Sequence, residues 1–184
     1  MGSSSKNAAA FLTDMEISEI VDGLFEAGFL HSVQICASAE RSLVHSSQVE
    51  GVADALRERV SLITPADPMD DSAAFGPVAT NPQFDKWLEA FETARAEGDE
   101  VITGGAAFDW PCFFVQPTMI RDMNDSPDEL TASVWTKDLS KALWLVPQVE
   151  AGTVWANMHT VVDPAVPFRG VKGSGTGLEY GSAL

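Results

Sequence analysis

Apolar positions along the chain alternate between two rhythms. Asn7 to Leu12 is a small, apolar run that reads as a buried strand or its end. Ile17, Ile20, Val21, Leu24 and Phe25 then recur at helical spacing, with Thr13 or Asp14 as the cap and Gly28 as the stop. Residues 42–45 read as a strand. Ser46 or Ser47 caps a second helix that aligns Val49, Val52, Leu56 and Val60. A loop marked by Pro65, Asp67, Pro68 and Gly76-Pro77 leads to a third helix over Asn81–Glu97. Phe84, Leu88 and Phe91 form its expected buried face, and Gly98 ends it. Short strands are expected at Val101-Ile102-Thr103, Phe113-Phe114-Val115 and Thr118 to Arg121, and a buried one at Leu130 to Trp135. Asp138 starts a helix carrying Leu139, Ala142, Leu143 and Val146, and Gly152 to Ala156 reads as a further strand. The tail from Pro164 is rich in Gly and Pro and reads as loop. Strands alternating with helices imply an α/β fold, a three-layer sandwich around a mainly parallel sheet.

With 184 residues, 45% of them hydrophobic, the chain suffices for one domain with a real core. The formal charge of -16, from 27 acidic and 11 basic residues, argues against polyanionic partners, so neither nucleic acid nor a membrane surface is expected. No apolar run matches a membrane span, and no signal segment opens the chain. Two cysteines, Cys36 and Cys112, make no disulfide framework, so a reducing, cytoplasmic setting is expected. The histidines His31, His45 and His159 are scattered and suggest no metal site. Residues 1–6, beginning Met1-Gly2-Ser3-Ser4-Ser5, read as an appended leader, and residues 7–184 as the domain.

One stretch carries candidate chemistry. Phe29-Leu30-His31-Ser32-Val33-Gln34-Ile35-Cys36-Ala37-Ser38-Ala39-Glu40-Arg41 places a thiol in a junction between a helix and a strand, where substrate can reach it. The stretch resembles the nucleophile motif of the aldehyde dehydrogenase superfamily, F-x-N-x-G-Q-x-C-x-A-x-x-R. His31 stands for its asparagine, Val33 for its glycine and Ser38 for its alanine. Further segments resemble the family in the right order: Gly104-Gly105 with Phe113 to Thr118, Leu130 to Asp138, Ala151 to Asn157, and Pro167 to Gly175 followed by Glu179. The resemblance implies the fold of that family's catalytic domain and oxidation of an aldehyde through a cysteine thiohemiacetal and thioester. It implies Cys36 as nucleophile, His31 at the position of the oxyanion-holding asparagine, and Asn157 near the site.

The resemblance also defines what is missing. The family's NAD(P)-binding domain has no counterpart, and Gly2 to Ser5 replace the segment with its general-base glutamate. A strand and a helix are absent between Met123 and Asn124, which are expected to join through a tight surface link. The chain stops at Leu184, before the family's subunit-joining strand. Such cuts suggest deliberate shortening by engineering; a natural truncated gene is the alternative. No cofactor is therefore expected for this chain, although the parent family uses NAD(P), and a monomer is expected. A complete dehydrogenase is not expected from it alone. Small aldehydes or activated esters are the expected ligands. A Cys36-dependent ester or thioester hydrolase is one alternative, and a non-catalytic scaffold or binding module the other. Val33 in place of glycine restricts the backbone beside the nucleophile. Cys112, between Pro111 and two phenylalanines, reads as packing, His45 as a residue on a strand face, and His159, just after Asn157, as a loop histidine, with a place on the rim of the site as the alternative.

Overall fold

A computed structural model describes residues 6–71, 73, 75–121, 128–175 and 177–181. The expected Met123–Asn124 link and residues 1–5 of the expected leader lie outside them. Strands β1 (Ala8–Phe11), β2 (Arg41–Val44), β6 (Thr131–Trp135) and β7 (Thr153–Ala156) form a parallel sheet in the order β2-β1-β6-β7. Between β2 and β6 come β3 (Val101–Thr103), β4 (Met119–Ile120) and β5 (Asp128–Glu129). After β7 come β8 (Phe168–Arg169), β9 (Val171–Lys172) and β10 (Leu178–Glu179). These short strands form the antiparallel pairs β3–β4, β5–β9 and β8–β10.

Helix α1 (Ile17–Phe29) links β1 to β2, and α4 (Leu139–Leu145) links β6 to β7. The two crossovers run toward opposite edges of the sheet, so right-handed connections put the helices on opposite faces. This is the three-layer α/β arrangement the alternation implies. On the α1 face, Ala9 and Phe11 pack with Ile20, Val21 and Leu24 of α1 and with Val52, Leu56 and Val60 of α2 (Val49–Ser61). Burying each large side chain there contributes roughly 1.5–3 kcal/mol. Phe11 stacks on Trp135 with ring centroids 5.1 Å apart. A Cβ on Gly23 would meet both rings at 3.1 Å, so a larger residue there would have to push the Phe11 and Trp135 rings back by a few tenths of an ångström.

Several expected details differ. Helix α1 starts after Glu16, whose N–H donates to Glu19 Oε2 at 2.9 Å. Asp14 does not cap it, because its carboxylate accepts from Thr136 Oγ1 (2.7 Å) and Lys137 N (3.2 Å) across the sheet. The helix also continues past Gly28 to Phe29, since Ala39 N–H donates to Ala27 O at 2.8 Å and satisfies the last turn. Helix α2 begins after Gln48, and the expected cap Ser47 instead meets the His45 ring at 2.8 Å. His45 is exposed just beyond β2. Phe113 to Val115 forms no strand; Val115 makes one isolated bridge with Ala107. Helix α3 (Asn81–Glu97) has the expected bounds and ends at Gly98 with φ +93°. Its Phe84, Leu88 and Phe91 are only half-buried, and Ala94 is the buried residue. On α4, Asp138 caps as expected, with Oδ1 accepting from Ser140 N at 2.9 Å. Only Ala142 of that helix is buried, while Leu139 and Leu143 are exposed. Cys112 is exposed at φ +73° and is not a packing residue.

Candidate nucleophile loop

Helix α1 hands the chain to a single 3-10 turn, Leu30–Val33, and then to the loop that carries Cys36 into β2. His31, Ser32 and Val33 adopt successive left-handed conformations, with φ of +52°, +54° and +61°. A β-branched residue in that region is strained, which gives the glycine-to-valine departure a physical cost. The turn is held from the side. Ser32 Oγ donates to Gly76 O (2.9 Å), Gln34 Nε2 donates to Pro77 O (3.2 Å), and Ala79 N–H donates to Gln34 Oε1 (2.8 Å).

From beneath, side chains hold three consecutive carbonyls. Fully buried Asn7 donates through Nδ2 to Cys36 O and to Ser38 O, both at 2.9 Å, while its Oδ1 accepts from Thr131 N–H at 2.8 Å. Thr131 Oγ1 lies 3.4 Å from Ala37 O. His159 is buried, with Nε2 2.7 Å from Ala37 O and Nδ1 2.9 Å from Ser133 Oγ. A carbonyl only accepts, so Nε2 carries the proton. Trp135 Nε1–H donates to Ser133 Oγ at 2.8 Å, and the Ser133 hydroxyl in turn donates to Nδ1. Every group in this chain is matched when His159 is neutral. Burial lowers its pKa, and the hydrogen bond to Ala37 O partly opposes that shift. The ring packs against Trp155 at 4.9 Å between centroids.

Cys36 itself is exposed, as expected for a reachable thiol, and His31 is exposed on the same loop. Asn157 follows the carboxyl end of β7, where its Oδ1 accepts from Thr136 N–H and its Nδ2 donates to Thr136 O, both at 2.9 Å. It thus ties the end of β6 to the residue after β7, while the Cys36 loop leads into the amino end of β2. Arg41, the last residue of the motif, pairs with Glu129 and donates through Nε to Lys6 O at 2.7 Å. Lys6, assigned to the leader, also pairs with Glu40 at 3.0 Å. Sequence reasoning missed Asn7, for which a polar residue opening the Ala8-Ala9-Ala10 run was the available signal, and it preferred a loop reading for His159, whose place just after Asn157 was the available signal.

The β1–α1 turn, Leu12 to Glu16, lacks glycine and carries Asp14 and Glu16, so this turn does not offer a pyrophosphate site at the start of α1. Among the described residues no group of three or more His, Cys, Asp or Glu side chains is arranged to hold a metal ion, and no helix is long and apolar enough to cross a membrane.

A profile described as "Aldehyde dehydrogenase family" matches residues 1–128 and 118–184. Betaine aldehyde dehydrogenase from Cereibacter sphaeroides is 31% identical over 209 residues, covering 97% of this chain and 43% of that protein. Phenylacetaldehyde dehydrogenase from Pseudomonas fluorescens is 30% identical, covering 97% of this chain and 42% of that protein. Betaine aldehyde dehydrogenase from Staphylococcus aureus, solved with NAD+, superposes with a TM-score of 0.92 at 26% identity, over 96% of this chain and 42% of its own. The NAD+ complex of an aldehyde dehydrogenase from Bacillus cereus gives a TM-score of 0.90 at 27% identity, over 98% and 43% respectively. The chain therefore spans less than half the length of the relatives it matches. An alignment of 209 residues that uses 97% of a 184-residue chain also means that the relative carries about 30 residues this chain lacks.

Proposed function

Because the chain belongs to the aldehyde dehydrogenase family, we propose that Cys36 retains the family's nucleophile role, as a thiol that adds to electrophilic carbonyls without the oxidation step. The observation that carries this reading is an exposed thiol on a loop whose Cys36, Ala37 and Ser38 carbonyls are each held by a buried side chain. A nucleophile is useful only if its backbone is pre-positioned, because misplacement of about 1 Å is costly to rate. With an aldehyde, the Cys36 thiolate forms a C–S bond and the carbonyl oxygen takes a proton from water, giving a thiohemiacetal. With an activated ester, the alcohol or phenol leaves and water then hydrolyses the thioester. His31, exposed on the same loop five residues before Cys36, is the side chain assigned to donate to the developing oxyanion. No step of this reaction uses a nicotinamide.

The test is hydrolysis of p-nitrophenyl acetate by the chain and by Cys36→Ala, with NAD+-dependent oxidation of propanal assayed beside it. Turnover that depends on Cys36, without NADH formation, is the expected result. Equal hydrolysis by the variant removes Cys36 from the chemistry, and NADH formation overturns the claim that oxidation is lost. A second reading, a non-catalytic binding module, is favoured by the open edge of β2.

A further inference from the structure

β2 is the edge of the main sheet: β1 pairs with it on one side, and among the described residues no strand pairs on the other. Arg41 N–H donates to Asn7 O at 2.9 Å, on the β1 side. Alternation along a strand then turns the N–H and C=O of Ser42 and Val44 outward. Natural edges are usually blunted by charge, proline or a covering element. This one carries Leu43, 54% exposed, and faces a cavity of about 1210 Å³. All four residues of β2 line that cavity. Its far wall is α3, through Trp87, Ala90 and Phe91, together with Met119 and Ile120 of β4. The cavity accounts for the partial exposure of Trp87 and Phe91 on α3, which look across open space toward the sheet edge, whereas Phe84 packs on Phe113.

The position of the cavity indicates its occupant. The family profile matches in two pieces that meet at residues 118–128, which places the omission of about 30 residues at the end of β4, on the cavity's rim. About 30 residues is the length of a strand with its crossover helix. The chain resumes toward β6, which is parallel to the rest of the sheet, as such a crossover requires. The walls also keep the relatives' arrangement, with TM-scores of 0.90 and 0.92, so the space is not closed by collapse of α3 onto β2.

We propose that the β2 edge and its cavity form a strand-accepting slot that binds an extended apolar peptide as a fifth strand of the main sheet. The peptide's main chain pairs with the outward groups of Ser42 and Val44. Its side chains alternate between the Leu43 side and the α3 wall. The slot also reaches Phe29 and Val33, so an occupant abuts the turn that precedes Cys36.

The probe is a synthetic, fluorescein-labelled peptide. Its sequence is the segment that the Staphylococcus aureus enzyme carries between the positions aligned with Arg121 and Asp128. Binding to the full chain is read by anisotropy, and backbone amide exchange is read residue by residue by NMR. Saturable binding is expected, with exchange at Ser42 and Val44 slowed at least tenfold and exchange at Arg41 and Leu43 unchanged. Leu43→Asp, and separately Ala90→Glu at an exposed position on the opposite wall, are each expected to weaken binding at least tenfold while leaving the circular dichroism spectrum unchanged. Two substitutions on different elements keep the test valid if one of them misfolds. The proposal is overturned by absence of binding, by equal binding of a scrambled peptide, or by binding that leaves Ser42 and Val44 exchange untouched.

Discussion

Asn7→Ala isolates what holds the nucleophile loop. Asn7 is fully buried and makes three side-chain hydrogen bonds, to Cys36 O, Ser38 O and Thr131 N–H. Truncation leaves all three backbone partners without this side chain. The bonds to Ser38 O and Thr131 N–H are buried, and each orphaned group costs about 1–3 kcal/mol; the bond to Cys36 O is only part-buried and water can replace much of it. The expected total is about 3–5 kcal/mol. A domain of this size has roughly 5–15 kcal/mol in all, and each kcal/mol moves Tm by about 2–4 °C. Urea unfolding followed by circular dichroism should therefore show a midpoint lowered by a large fraction, and Tm should fall by about 10 °C. Below that midpoint the rate of Cys36 labelling by a chromogenic disulfide should change as well, since two of the three loop carbonyls lose their anchor. Destabilisation under about 1 kcal/mol with unchanged labelling would refute the claim that Asn7 shapes the loop.

Three further outcomes follow from the same geometry. Burial depresses the His159 pKa below its ordinary value of 6.5, so the unfolded chain binds more protons near and below that pH. The stability contributed by neutral His159 is complete above about pH 6.5 and is lost as pH falls from there toward the folded pKa. Tm measured from pH 7.5 to 5.5 should thus drop more for the wild type than for His159→Gln, and parallel curves would disprove the assignment. Ser38 Oγ is buried without a hydrogen-bond partner, so Ser38→Ala should be neutral or stabilising by up to about 1 kcal/mol in urea unfolding; a clear loss of stability would contradict this. Val33 sits at φ +61°, where glycine is unstrained, so Val33→Gly should gain about 0.5–1 kcal/mol after the entropy cost of glycine. A loss on urea unfolding would show that the half-buried side chain outweighs the backbone strain.

Local periodicity and local chemistry were enough to place much of this molecule. The spacing of Ile17, Ile20, Val21 and Leu24 made α1 legible, Asp138 marked the start of α4, and Gly98 marked the end of α3, because each signal lies within a turn or two of the element it defines. The motif around Cys36 located the loop, and the β-branched residue at Val33 foretold its strain. Which apolar faces are covered was not legible. Leu139 and Leu143 on α4, and Phe84, Leu88 and Phe91 on α3, have core-like spacing, yet burial depends on whether a neighbouring element is present to pack on them. The caps at Asp14 and Ser47 failed for a related reason, since those side chains found stronger or nearer partners at Thr136 and His45. Asn157 has the polar side chain of a site residue, and the structure commits both ends of its amide to Thr136, a partner 21 positions away that no local pattern announces. His159, which reads as an ordinary loop residue, meets Ala37 across 122 positions of sequence. The thiol and its loop are written locally in the chain. The groups that hold that loop in place are brought together only when distant strands close into one sheet, because hydrogen bonds between side chain and backbone depend on distance in space and leave no period in the sequence.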